Sequence, residues 1–287
     1  MVEPLSRSWN TPRYWVLPDA WLNDDVNTVW IRAVGIKGQT LGLGPVEIGD
    51  ARALHQQYDD LWWRNRTLYV ANIIVSGVIG ILFFCIWFAR RDQTAYGWYA
   101  FSSLFWVIFV ANALATKPWP WPDSLVAARA GAIALMLCVA CFCMFILRFG
   151  EQVLRYYERI LWTLTGIFVV ALLFTPQAYV GYIQISSLLV ATVFFLFNCF
   201  QFPIYAWQTK QREHFFLAAC LVVLIVTILN DLMVVFELAP GRFTVMPYAN
   251  IVITLSLSGI LGLRHAHNVR RIERFNVELA ESVEKAR

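Results

Sequence analysis

Seven continuous apolar stretches follow one another along the chain from residue 68 onward. They cover residues 68–89, 96–115, 125–147, 160–175, 180–206, 215–237 and 248–263. A helix needs about 20 apolar residues to cross a bilayer, so the fourth and seventh stretches must extend into their flanks. The stretches do not alternate apolar with polar positions, as the strands of a membrane β-barrel do. The pattern therefore predicts an all-α membrane protein, a seven-transmembrane helix bundle over residues 68–263.

The composition agrees with a lipid bilayer as the solvent for most of the chain. Hydrophobic residues make up 59% of the 287 residues and charged residues 15%, whereas soluble domains average about 45–50% and about 25%. The net charge is +4, but the basic excess lies in short connections between the apolar stretches, where membrane topology explains it. We expect the bilayer as a partner and no nucleic acid.

Lysine and arginine are distributed unequally between two sets of connections. The connections after the second, fourth and sixth stretches contain only two basic residues, Lys117 and Arg242. Positively charged segments resist translocation, so the richer set should be cytoplasmic together with the carboxyl tail, and the amino terminus should lie outside. That set comprises Arg90, Arg91, Arg148, Arg155, Arg159, Lys210, Arg212, Arg264, Arg270, Arg271 and Arg274.

Residues 1–49 predict a small extracytoplasmic β segment at the amino terminus. Alternating residues 29–34 favour a half-buried strand, and residues 46–48 favour a second short one. Two or three strands do not close a core alone, so we expect the last piece of a larger β domain. Asp50 is a suitable N-cap, and the apolar spacing after it predicts a juxtamembrane helix over residues 50–67 that continues into the first span.

Residues 264–287 predict a cytoplasmic signalling helix, or the start of a coiled coil. Ile272, Phe275 and Leu279 are spaced three and four apart, with charged and polar residues between them. Such a stripe pairs with a second copy of itself, so we expect a homodimer through the C-terminal helix. The residues predicted to relay a signal are Arg264, Ile272, Phe275, Asn276, Glu278 and Leu279.

Polar side chains inside the spans are the main candidates for function. Asn72, Asn112, Asn230 and Asp231 lie at similar depth towards the predicted outer end of the bundle. Polar groups are costly in a bilayer and usually face the bundle interior or a cavity. The four residues either form an outward-facing ligand pocket or make hydrogen bonds between helices, and the sequence leaves both open. For Arg129 we favour snorkelling to the interface over pairing with Asp231.

No catalytic or metal-binding motif is visible in the sequence. A phosphate-binding Gly loop, an H-E-x-x-H helix and a nucleophile elbow are all missing. The six cysteines lie inside apolar stretches, where a small packing residue is the better interpretation. We therefore expect no catalytic residue, no metal, no cofactor and no enzymatic activity in these residues.

Short motifs occur in a particular order along the chain. They are WVLPDAWL at 15–22, TVWIR at 28–32, LGPVEIG at 43–49, Asn230-Asp231 with LAPG at 238–241, and FNVEL and VEKAR at 275–279 and 283–287. This order resembles that of bacterial seven-transmembrane receptors with diverse intracellular signalling modules. The first two motifs are similar to the closing strands of that family's jelly-roll sensor, and the third to its junction with the first span. The last two resemble the helix that leads into a cytoplasmic histidine kinase or cyclic-nucleotide module.

The resemblance implies a receptor module in a bacterial inner (cytoplasmic) membrane. Such a module senses an unknown small extracytoplasmic ligand and relays a conformational change through the last span. The output is a cytoplasmic signalling domain, a sensor histidine kinase of a two-component system or a cyclic-nucleotide enzyme, in a longer protein or a partner. The alternatives are a small ion- or proton-coupled transporter that uses Asp231, and an integral-membrane enzyme.

Overall fold

The computed structural model of the chain describes residues 11–32, 46–235 and 245–286. Eight α-helices occur in these residues, and a π-helical turn, Trp63–Thr67, joins the first two. The helices are α1 Ala51–Trp62, α2 Leu68–Ala89, α3 Thr94–Leu114, α4 Ser124–Phe149, α5 Arg155–Phe174, α6 Val180–Thr209, α7 Arg212–Val235 and α8 Met246–Ala286.

Seven helical segments of the described residues are long and apolar enough to cross a membrane. The first is the continuous segment Ala51–Ala89, and the other six correspond to α3 through α8. A helix satisfies all of its main-chain hydrogen bonds internally, which is what the dry interior of a bilayer demands. The predicted all-α seven-transmembrane fold is thereby confirmed.

The fourth span extends toward its amino terminus, as its short apolar stretch required. α5 begins at Arg155 rather than at residue 160. Its first turn contains Glu158, which the Arg148 guanidinium of α4 binds through two hydrogen bonds of 2.8 and 2.6 Å. This charged pair stabilises the Glu158 carboxylate, a group that the apolar pattern alone would place outside the span.

The last span and the predicted signalling helix form one continuous helix. α8 has 41 residues, of which Tyr248–His267 has the length and composition of a membrane span. At about 1.5 Å per residue the helix is about 60 Å long, twice the hydrocarbon thickness of a bilayer. Its second half therefore extends the membrane span as an uninterrupted rod.

Contacts divide the chain into two compact units, Met1–Asn198 and Cys199–Arg287, with the boundary inside α6. In the first unit, α3 packs closely against both α2 and α4, and α4 packs against α5. The aromatic rings of Phe83, Tyr99 and Phe145 connect α2, α3 and α4, with centroid distances of 5.5 and 5.1 Å. In the second unit, α7 packs against α8.

The predicted β segment is not confirmed. Residues 29–32 and 46–48 form neither helix nor strand, and residues 33–45 lie outside the described part of the chain. A strand needs a partner to bind its main-chain N–H and C=O groups. Residues 11–32 and 46–50 supply no such partner, so the alternating pattern is not sufficient for a strand here.

The predicted capping of α1 is confirmed. The Asp50 carboxylate accepts hydrogen bonds of 3.0 Å from the main-chain N–H groups of Arg52 and Ala53, as an N-cap does. The Tyr14 hydroxyl donates to the Ala51 carbonyl at 2.9 Å, and its ring contacts His55. These contacts attach the preceding segment to the first turns of α1.

Candidate functional site

Asn72 connects α2 to α3 in the interior of the first unit. Its side chain is 1% exposed. Its Oδ1 accepts hydrogen bonds from the Trp106 indole Nε1–H at 2.8 Å and from the Ser76 hydroxyl at 3.3 Å. Of the two roles that the sequence left open for Asn72, a ligand pocket or hydrogen bonds between helices, this geometry is the second.

Asn112 connects α3 to α4 in the same unit. Its Nδ2 donates to the Ala127 carbonyl at 2.7 Å. The neighbouring residue on α4 is Gly131, where a Cβ atom would lie 2.6 Å from Nδ2 of Asn112. Only glycine at position 131 leaves room for the side-chain amide of Asn112. Gly131 therefore helps to position Asn112.

A cavity of about 360 Å³, partly open to the surroundings, lies beside Asn112. Its walls come from α3, α4 and α6, toward the predicted outer end of the first unit. Three of its lining residues are polar, namely Asn112, Gln184 and Ser187, and none of them is charged. Asn72 is not among the lining residues.

The α6 wall of the cavity follows from helical spacing. Gln184, Ser187, Leu188 and Ala191 are separated by three, four and seven positions from the first, which places them on one helix face. Ser187 is 3% exposed, and its hydroxyl donates to the Gln184 main-chain carbonyl at 2.8 Å. The polar groups of this face are thus held against the cavity.

Sequence reasoning identified Asn112 but missed the other polar wall of the cavity. Gln184 and Ser187 lie near the start of the fifth apolar stretch, at the same predicted depth as Asn112. Their spacing of three positions on one helix was a usable signal. Gly131 gave no signal, because only the distance to Asn112 reveals its importance.

Asn230 and Asp231 lie in the second unit, where they connect α7 to the start of α8. Oδ1 of Asp231 accepts hydrogen bonds from the Val245 main-chain N–H at 2.7 Å and from Nδ2 of Asn230 at 3.0 Å. Val245 directly precedes Met246, the first residue of α8. The carboxylate therefore binds an amide at the amino-terminal end of α8, where a negative charge is favoured.

Arg264, in the middle of α8, lies near the amino-terminal end of α7, opposite to the end that carries Asp231. Its Nε lies 3.9 Å from the Glu213 carboxylate in the first turn of α7. The Glu213 side chain is 48% exposed, so this ion pair contributes little to stability. Together with Asp231 it shows that α7 and α8 run antiparallel, with a polar contact near each end of α7.

The other predicted relay residues lie on the second half of α8. Glu278 is exposed on this helix. The backbone at Ile272, Phe275, Asn276 and Leu279 is helical, while their side chains lie outside the described part of the structure. The predicted stripe is thus on a continuous helix, and its pairing with a second copy stays a prediction.

Arg129 binds the carboxyl-terminal end of α5 instead of only snorkelling. Its two terminal nitrogens donate to the main-chain carbonyls of Leu173 and Thr175, at 2.8 and 2.6 Å. The last carbonyls of a helix have no partner within the helix, so a cation there satisfies them. The Arg129 guanidinium therefore connects α4 to α5 by hydrogen bonds within the first unit.

These features define a class, a seven-helix membrane protein whose intramembrane polar groups join neighbouring helices and border a cavity. Residues 62–264, well over half of the chain, match the family model described as "7TM diverse intracellular signalling". The chain belongs to this family of seven-transmembrane receptors. No curated protein and no solved structure matches it.

The hydrogen bond between Asn72 and Trp106 can be measured with a double-mutant cycle. Asn72→Ala removes the acceptor, and Trp106→Phe removes the donor while keeping an aromatic ring. We expect a coupling free energy of about 0.6 kcal/mol, and at most about 1.7 kcal/mol, which is the range for such bonds in membranes. The free energy of unfolding in detergent, measured for both single variants and the double variant, gives this value.

As a control, Asn72→Ala is combined with Trp162→Phe, a partly buried tryptophan of a separate cluster around Leu161. Changes at separate sites should be additive. If the effects of Asn72→Ala and Trp106→Phe on the free energy of unfolding were also strictly additive, the hydrogen bond between Asn72 and Trp106 would contribute nothing to stability.

The contact between Asp231 and Val245 predicts graded effects on amide exchange. Asp231→Ala removes the acceptor of the Val245 N–H, so its hydrogen exchange should accelerate on the order of tenfold. Asp231→Asn keeps an oxygen at that position and should have a smaller effect, because a neutral acceptor forms the weaker bond. Exchange at Val245 in lipid nanodiscs, read from overlapping peptides that begin at least three residues before it, measures both.

The matched control is Asn230→Ala, which leaves the Val245 hydrogen bond in place. Its exchange should stay near that of the unchanged protein. Equal exchange in Asp231→Ala and Asn230→Ala would mean that the carboxylate does not hold the start of α8.

Proposed function

We propose that this chain is the membrane module of a signal-transduction receptor. It senses an extracytoplasmic ligand and relays a conformational change through α8 to a cytoplasmic output module, a histidine kinase or a cyclic-nucleotide enzyme in a longer protein or a partner. Family membership supports a role in intracellular signalling. The chemistry of the output belongs to that module, and these residues supply the conformational change.

The observation on which this proposal depends is the continuity of α8. The membrane span Tyr248–His267 continues to Ala286 without a break. A helix with intact backbone hydrogen bonds transmits a rotation or a shift along its axis, whereas a flexible linker dissipates it. A rod of this kind is suited to joining a membrane event to a partner domain.

The two contacts between α7 and α8 supply a place where a signal can act. Asp231 holds the start of α8, and Glu213 lies near Arg264 at the opposite end of α7. A ligand shifts the position of α8 only if it binds one arrangement of the helices more tightly than another. The weak, exposed contact at Arg264 is the one that changes at least cost.

The location of the module follows from the distribution of charge. Arginine and lysine cluster in the connections on one side and along the tail, as in Arg90, Arg91 and Arg270. This asymmetry supports a multi-pass protein of a bacterial inner membrane with its carboxyl tail in the cytoplasm. The tail would form a homodimer there, since its apolar residues recur at coiled-coil spacing.

The transporter alternative requires Asp231 to bind and release an ion. Its Oδ1 instead accepts two hydrogen bonds, one of them from the main chain of Val245. This arrangement supports a structural role for the carboxylate. Flux in reconstituted vesicles that Asp231→Asn abolishes would favour transport over the receptor proposal.

Insertions into α8 test the relay, because each inserted residue rotates the tail about the helix axis relative to the membrane span. The full chain is joined after Arg287 to the dimeric core of a sensor histidine kinase, and alanines are inserted after His267. Two alanines rotate the tail by about 200°, whereas seven restore its phase to within about 20°. We expect autophosphorylation to change several-fold with two alanines and to return close to its original level with seven.

The control is a Gly-Ser insertion of seven residues at the same position. It has the length of the restoring insertion but not its helicity, so it should uncouple output from the membrane domain. Output that varies smoothly with insertion length, or not at all, would contradict a rigid relay.

A further inference from the structure

The cavity beside Asn112 is a partly open cleft with walls from α3, α4 and α6. This cavity has a volume of about 360 Å³, which falls within the range of about 300–1,000 Å³ that small-molecule sites occupy. Small side chains on two helices leave this space open: Ala128 and Ala132 of α4 and Ala191 of α6.

The electrostatics of the cavity select against ions. None of the residues that line it carries a charge. The guanidinium of Arg129, next to Ala128 in the sequence, is occupied by the Leu173 and Thr175 carbonyls of α5. A buried ion without a partner of opposite charge costs several kcal/mol, so the cavity favours an uncharged occupant.

The α6 wall offers hydrogen bonds of both kinds. The Ser187 hydroxyl uses its hydrogen to bind the Gln184 main-chain carbonyl, which leaves the lone pairs of its oxygen as acceptors. The Gln184 side-chain amide contributes N–H donors and a carbonyl acceptor at the same wall. Opposite them, Phe109, Leu135 and Met136 provide apolar surface.

We propose that this cavity binds an uncharged small organic molecule that has an apolar body and a hydroxyl or carbonyl group facing Gln184 and Ser187. The proposal rests on the receptor function and names the class of ligand that would act on it. Occupancy joins α6 to the closely packed pair α3 and α4, so the ligand favours arrangements in which these three helices lie together.

Photolabelling with a probe of this chemistry tests the site. The probe is 4-[3-(trifluoromethyl)-3H-diazirin-3-yl]benzyl alcohol, which is uncharged, has no carbonyl group and on illumination loses N2 and inserts into nearby C–H bonds. 3-(4-Methylphenyl)-3-(trifluoromethyl)-3H-diazirine is the matched probe without the hydroxyl group. The full chain is labelled in lipid nanodiscs, and mass spectrometry locates the modified residues. We expect saturable labelling by the hydroxyl probe at Leu135, Met136 or Leu188, and weaker labelling there by the methyl probe.

Three variants separate the polar wall from the cavity volume. Gln184→Leu should reduce labelling by the hydroxyl probe about three- to tenfold and leave the methyl probe unaffected, because only the hydroxyl group loses a partner. Ala191→Phe fills the cavity and should reduce labelling by both probes. Val193→Phe places the same phenyl ring on the same helix at a position that is 65% exposed, outside the lining, and should change neither.

Two results would overturn the proposal. Equal labelling by both probes, unchanged in Gln184→Leu, would show an apolar site for a lipid acyl chain. Labelling spread over lipid-facing residues, without saturation in the cavity, would show no site. Gln184→Leu keeps the test decisive if Ala191→Phe does not fold. The assay measures binding without any output, whereas the α8 insertions measure output without a ligand, so the two proposals fail independently.

Discussion

The structure depends on one constraint, that polar groups inside a bilayer must find partners within the protein. Helices meet it for the main chain, and several of the described side chains meet it by binding across helices. Asn72 joins α2 to α3, Asn112 joins α3 to α4, and Arg129 joins α4 to α5. Each bond contributes little alone, but each is directional. Together they fix which faces of the helices meet, a choice that apolar packing alone leaves underdetermined.

The fold could be predicted from sequence because long apolar runs have few alternatives in a membrane. The extension of the fourth stretch followed from its short length, but the residue at which α5 begins did not, because it depends on the pairing of Glu158 with Arg148, ten positions earlier. The amino-terminal strands were not confirmed, since alternation shows which face a strand would bury but supplies no partner strand. The continuity of α8 agrees with the amphipathic tail, which has no Gly or Pro to stop the helix.

The candidate site was predictable in its residue types but not in its arrangement. Polar residues in spans pointed to Asn112 at the cavity, whereas Gln184 and Ser187 were missed, because burial is set by the helices that surround them. The contact of Asp231 with Val245 spans 14 positions and lies at the junction of two helices. No local pattern encodes such a contact. The first unit contains the cavity, and the second unit contains the long helix α8.

We propose that the carboxyl tail after the last span lies in the cytoplasm and that the 115–123 connection lies outside, as the distribution of arginine and lysine supports. Single cysteines at Trp119, which is 82% exposed, and at the exposed Glu278 test it in a full chain without other cysteines. A membrane-impermeant maleimide is applied to intact cells and then to permeabilised cells. The account predicts labelling of residue 119 in intact cells, and of residue 278 only after permeabilisation. Labelling of residue 278 in intact cells, or of both residues from one side, would contradict it.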